Sequence, residues 1–209
     1  MNNSQALLLA ISGPSGVGKG TVINVLRLLL ERSWLSVSAT SREIRGKEVD
    51  GKDYFFLSKE VFQKKIEQGE ILEYDEFCGE YYGTPKEPVM QHLEAGETVF
   101  FDITVKGALA LKKNFPKTVT IFLAPPSFAE LRKRLESRGT ESEEKILKRL
   151  TKAPLEFAEA KNFDYIVIND KFKDCLIQIL SIITAEGCKT CCRDKFLDNL
   201  IKEVDSSLL

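Results

Sequence analysis

Residues 13–21 read GPSGVGKGT. Gly13 to Lys19 satisfy G-x-x-x-x-G-K, the loop whose backbone N–H groups cradle phosphate. A Ser or Thr should follow the lysine, but Gly20 stands there and the hydroxyl comes one residue late, on Thr21. The context suits the motif. The apolar run Leu7–Ser12 precedes it, and Thr21–Glu31 follows with Val22, Val25, Leu26, Leu29 and Leu30 at helical spacing. Glycines let the backbone curl round an anion, and the helix start adds partial positive charge. Lys19 adds a mobile charge for outer phosphates. The expected phosphate ligands are Gly13, Pro14, Ser15, Gly16, Val17, Gly18, Lys19, Gly20 and Thr21.

Beyond the loop, strand-length apolar runs recur at Leu35–Ala39, Thr98–Ile103, Thr118–Ala124 and Asp164–Ile168. Helical patterns follow near Val105–Phe115, near Phe128–Glu136, from Ser142 onward, and near Cys175–Ala185. Ser127 is the expected N-cap of the second, and Pro154 should end or kink the third. Short, wholly apolar strands between helices predict an α/β fold with a parallel five-stranded sheet flanked by helices. Residues 42–97, polar and turn-rich, and residues 137–150, densely charged, interrupt this rhythm. The expected organisation is a core from 1–41, 98–136 and 151–209, the last ending in a helical tail, with two inserts between.

The bulk numbers bound the function. The chain has 209 residues, 43% hydrophobic and 29% charged, with a formal net charge of −1. No global basic field exists to hold nucleic acid. The first apolar run, Leu7–Ile11, is too short for a membrane span or leader core, so a cytoplasmic protein with no membrane partner is expected. Five cysteines, an odd count, argue for reduced thiols. Cys188, Cys191 and Cys192 fall short of a four-ligand zinc set, and the sole histidine, His92, is distant and reads as structural. The tail carries Phe196, Leu197, Leu200, Ile201 and Val204 on a weakly amphipathic pattern. It is expected to pack on the core or on a second subunit, so monomer and homodimer both stay open.

The first insert holds a second set of polar groups. Arg42 and Arg45, three apart, can clamp one phosphate with paired N–H donors. Tyr54, Tyr81 and Tyr82 offer phenol hydroxyls. Glu73, if buried, would accept the two parallel donors of guanine, N1–H and the 2-amino group, and be mismatched against the N1 acceptor of adenine. Asp102 ends a buried strand and suits an acidic partner of Mg²⁺ held through water.

The stretches GPSGVGKG, SVSATSREIRGKEVDGKDYFF, GEILEYDEFCGEYYGT, FFDITVKGA, LESRGTESEEKILKRL and DYIVIND together resemble the guanylate kinases. In order from Ile11 to Asp170, they cover roughly three-quarters of the chain. The resemblance implies a P-loop NTPase core, a GMP-binding insert at 42–97, a lid at 137–150, and Mg²⁺ bound with ATP. It implies that Ser38, Glu73 and Thr84 meet the base, with Asp102 nearby, and that Arg42, Arg45, Tyr54 and Tyr82 meet the GMP phosphate. Lys19 and the loop would hold ATP. Arg138 and Arg149, with Arg134 as a weaker third, would reach the transferring group, and Asn169 the adenine. The catalytic set so implied is Lys19, Arg42, Arg138 and Arg149. Three departures stand out: Gly20 for the usual Ser, Thr104 for the second acid of an Asp-x-Asp pair, and Pro154 inside the long helix after the lid. Two other readings remain: a protein-interaction module of the same fold that has lost its catalytic loop, and a kinase for another nucleotide such as AMP.

Overall fold

Residues Leu8–Ser12 form β1, and all five are buried. Leu9 and Ile11 join one apolar layer, Leu8 and Ala10 the other. A strand covered on both faces has no polar positions to alternate, so its sequence is a continuous apolar run. The same holds for β7 (Thr98–Asp102), where Phe100 goes to the first layer and Val99 and Phe101 to the second. The computed structural model describes residues 6–77, 79–137 and 142–207.

Five parallel strands form the main sheet in the order β2-β7-β1-β8-β9, with β2 at Ser33–Leu35, β8 at Val119–Ala124 and β9 at Tyr165–Ile168. This is the α/β core read from the sequence. The first layer packs under α1 (Lys19–Leu29), α5 (Phe128–Glu136), α6 (Glu143–Glu159) and α7 (Phe172–Gly187). The second packs under α3 (Lys86–Glu94) and α4 (Val105–Asn114). Ser127 caps α5 as expected, its hydroxyl accepting from the Glu130 amide.

A four-stranded sheet fills the first interruption, in the order β4-β3-β6-β5. Its strands are β3 (Ala39–Thr40), β4 (Phe55–Phe56), β5 (Ile71–Phe77) and β6 (Glu80–Pro85), with α2 (Lys59–Glu67) packed near β6. The single strand expected over Leu35–Ala39 is thus two strands in two sheets. The Ser36 amide still bonds to the Phe100 carbonyl of β7, at 2.8 Å. The chain then crosses over, and Ala39 pairs with Gly83 of β6. The second sheet therefore starts ahead of residue 42, while α3 at the far end of that segment packs on the main core.

Helix α6 runs through Pro154 rather than ending there. An interior proline costs roughly 3 kcal/mol. Leu150 and Ala153 are buried in the first layer and Phe157 packs against it, each burial worth about 1–3 kcal/mol, so packing outweighs the lost hydrogen bond. The tail forms α8 (Asp194–Ser207), with Phe196, Leu197, Leu200, Ile201 and Val204 exposed. Among the described residues, no helix is long and apolar enough to cross a membrane.

Candidate active site

The loop between β1 and α1 begins at the carboxyl edge of the main sheet. Ile11 pairs with Asp102, so the register brings the end of β7 beside the start of the loop. Gly18 is the N-cap of α1 with φ 100°, a left-handed conformation suited to glycine. A cleft of about 260 Å³ is lined by Ser15, Gly16, Gly18, Lys19, Gly20, Thr21 and Asp102. The Lys19 ammonium sits over the loop and donates to the Gly13 carbonyl at 2.8 Å.

Two distant elements brace the loop. On α6, Arg149 donates to the Ser15 hydroxyl at 2.6 Å. After β9, the buried Asn169 side chain donates to the Val17 carbonyl at 2.8 Å, which ties it to the loop backbone through one N–H. Arg134 is paired along its own helix with Glu130, at 2.9 Å. Arg138 lies outside the described residues. The sequence reading missed Glu156 of α6. Burial raises its pKa, and Lys19, then Lys152, pull it back.

Asp102 is solvent-accessible at its strand end, yet enough protein surrounds its carboxylate to raise its pKa, with Lys19 opposing. A Cβ on Gly20 would lie 3.7 Å from Asp102 Oδ2, an ordinary contact, so a serine side chain has room there. Among the described residues, no group of three or more His, Cys, Asp or Glu side chains is placed to hold a metal. Asp102 and the exposed Thr21 hydroxyl line this cleft and are oxygen donors of the kind Mg²⁺ takes, an ion that tolerates phosphate and water at its remaining positions.

The second sheet carries the other half. Buried Arg42 makes a two-pronged contact with Glu48, Nη1 and Nη2 each 2.7 Å from a carboxylate oxygen. The guanidinium carbon lies 5.0 Å from the Tyr54 ring centre and 5.6 Å from that of Phe56. Glu48 also accepts from the Arg45 amide at 2.9 Å. These donors, Arg42 first, hold the Glu48 carboxyl down at about 2, and Glu48 in turn raises the Arg42 pKa. Tyr82 meets Tyr54 edge-on, with ring centres 6.2 Å apart. Tyr81 turns away, stacked on Phe62 of α2 and bonded to Gln63. Of the tyrosine pair, Tyr82 alone joins the cluster. Ser38 stands at the entry to β3, its carbonyl accepting from the Phe55 amide.

Glu73 is 6% exposed. The pairing of β5 with β6 shifts register between Ile71 and Tyr74, and such bulges re-aim side chains. Here Glu73 Oε1 accepts from the buried Thr84 hydroxyl of β6 at 2.7 Å. Burial raises the Glu73 pKa, Thr84 lowers it and Asp75 adds to the rise. Thr104 is the N-cap of α4, its hydroxyl accepting from the Gly107 amide at 3.1 Å. The threonine that stands for an acid therefore keeps the cap and drops the charge.

His92 stacks on Trp34, ring centres 4.0 Å apart, and meets Glu97, which is a structural role. Cys175 is buried, and Cys188, Cys191 and Cys192 are free thiols.

Comparison with known proteins identifies what the chain is similar to. A family model described as guanylate kinase matches residues 5–186. The guanylate kinase of Clostridium acetobutylicum is 43% identical over 206 residues, covering 99% of this chain and 97% of its own length. That of Caldanaerobacter subterraneus subsp. tengcongensis is 48% identical over 185 residues, covering 88% and 90%. The crystal structure of guanylate kinase from Anaplasma phagocytophilum matches with a TM-score of 0.70 at 33% identity, over 90% of this chain and 89% of that one.

Proposed function

The chain belongs to the guanylate kinase family, and on that premise we propose that it transfers the γ-phosphoryl group of ATP to GMP, with Glu73 reading the base. One observation carries the assignment. Glu73 is a buried carboxylate whose partner is a neutral threonine hydroxyl, and a planar base offering two N–H donors would satisfy it. Adenine offers an acceptor there instead, and such mismatches cost about 10⁴–10⁵ in discrimination.

Residues 42–97 then form the acceptor-binding insert and 137–150 the lid. Ser38 and Thr84 meet the base beside Glu73, with Asp102 near the acceptor. Arg42, Arg45, Tyr54 and Tyr82 hold the GMP phosphate. The donor lies along Gly13–Thr21, with Lys19 on its outer phosphates, Arg149, Arg138 and Arg134 around the moving group, and Asn169 toward adenine. An anionic oxygen of the GMP phosphate attacks the γ-phosphorus as the bond to the β–γ bridging oxygen breaks, giving GDP and ADP. That oxygen needs no base, so positioning and charge neutralisation supply the catalysis. Asp102, with Thr21 beside it, would meet the water shell of a Mg²⁺ ion bound with ATP, which would supply positive charge for the phosphates.

A coupled assay with ATP and either GMP or AMP tests the reading. GMP should be preferred by about 10⁴-fold in kcat/KM. Comparable turnover of AMP would overturn it.

A further inference from the structure

Glu73 faces α4, and the residue opposite its second oxygen is Gly107, which lies in the stretch FFDITVKGA but was given no role there. A Cβ built on Gly107 would lie 2.7 Å from Glu73 Oε2, 3.4 Å from its Cδ and 3.3 Å from Thr104 Oγ1. The first distance is below any real contact, so one partner would have to move. Gly107 lies within α4, in backbone that any residue adopts, and alanine is a better helix former there by about 1 kcal/mol. The backbone does not ask for glycine; the neighbouring carboxylate does.

The helix cannot easily retreat. The Gly107 amide is held by the Thr104 hydroxyl. Lys106 pairs with Asp75 at 2.6 Å, and Asn114 donates to the Leu72 carbonyl at 3.0 Å, so α4 is tied to β5 on both sides of Glu73. Glu73, in contrast, ends in a flexible side chain. A methyl group at 107 would turn the carboxylate out of its seat and leave the fold standing.

We infer that Gly107 is a specificity-determining position, whose missing side chain seats the Glu73 carboxylate where it meets the guanine edge. This rests on Glu73 being the guanine ligand. Gly107 is a positioning residue: it leaves the room that the carboxylate occupies and so acts on the base through Glu73.

The test compares Gly107→Ala with Glu73→Gln, measuring KM and kcat for GMP and for ATP, and the thermal midpoint of each variant. Gly107→Ala should raise the KM for GMP about tenfold to hundredfold, as for loss of a charge-assisted hydrogen bond, and leave the KM for ATP within about twofold. Its midpoint should stay within a few degrees of the parent's. If Glu73→Gln raises the KM for GMP and Gly107→Ala does not, the role of Gly107 is overturned and Glu73 remains the guanine ligand. If neither variant changes it, both assignments fall. If Gly107→Ala unfolds, the Glu73→Ala/Gly107→Ala double variant decides. Recovery of the midpoint identifies the carboxylate as the obstacle and supports the inference; no recovery overturns it.

Discussion

Two carboxylates within one insert have opposite fates. Glu48 is met by the Arg42 guanidinium and the Arg45 amide, and its charge is stabilised. Glu73 is buried against a hydroxyl, and its charge is disfavoured. The folded state holds the Glu73 proton more tightly than the unfolded chain does. Its contribution to stability is therefore greatest at low pH and is lost as pH rises from the ordinary 4.5 through the raised value. A glutamine in its place can still accept from Thr84 and carries no charge. Glu73→Gln should melt higher than the parent at pH 7, and the gap should narrow as pH falls toward about 5, while GMP binding weakens. Thermal melts at both pH values check this. A lower midpoint for the variant at pH 7 would mean the carboxylate is not a stability cost held for function.

Among the elements, α6 does the most varied work. It carries Arg149 to the loop, buries Leu150 and Ala153, and tolerates Pro154 in its interior. Pro154 is exposed, so its ring contributes little packing in return for the missing N–H. Pro154→Ala should stabilise the protein by about 1–3 kcal/mol, or roughly 2–4 °C in Tm for each kcal/mol, with kcat unchanged. A lower midpoint, or a fall in kcat, would show that the proline shapes the approach of Arg149 to Ser15. This helix also marks what the sequence could tell. Its amphipathic period was plain, but whether packing would override the proline depends on Leu150 and Phe157 reaching a layer built from distant strands. The core strands were legible because burial on both faces leaves no alternation. The segment 33–40 was not, because its apolar pattern is the same whether it pairs with β7 or with β6. At the site, the loop and Arg42, Arg45 and Glu73 could be read from residue type. Glu48 carried no assignment, since nothing in its residue type marks it as the partner of Arg42. Gly107 stood inside a quoted motif, but its role was not legible, since its partner is 34 positions away and the two come together only when α4 packs on β5.

Taken whole, the molecule is two sheets, and the proposed function puts one substrate half on each. The loop end of the main sheet holds Lys19 and Asp102, while the second sheet holds Arg42, Glu73 and Thr84. Helix α4 bridges them: it packs in the second layer of the main sheet and ties to β5 through Asn114, Lys106 and the Gly107 seat. A base bound against Glu73 should therefore tighten both the insert and α4, whereas ATP alone should tighten the loop and α1. A ligand at about 100 times its Kd adds about 2.7 kcal/mol, which for a chain of this length is roughly 5–11 °C in Tm. Hydrogen exchange should show GMP slowing β5, β6 and the first turns of α4 together, and ATP slowing Gly13–Ile23 with β5 unchanged. In Glu73→Gln the slowing by GMP in α4 should be lost while that by ATP persists. If GMP protects β5 and leaves α4 at its free rate, the two sheets are not coupled through this helix, and the base is read by the insert alone.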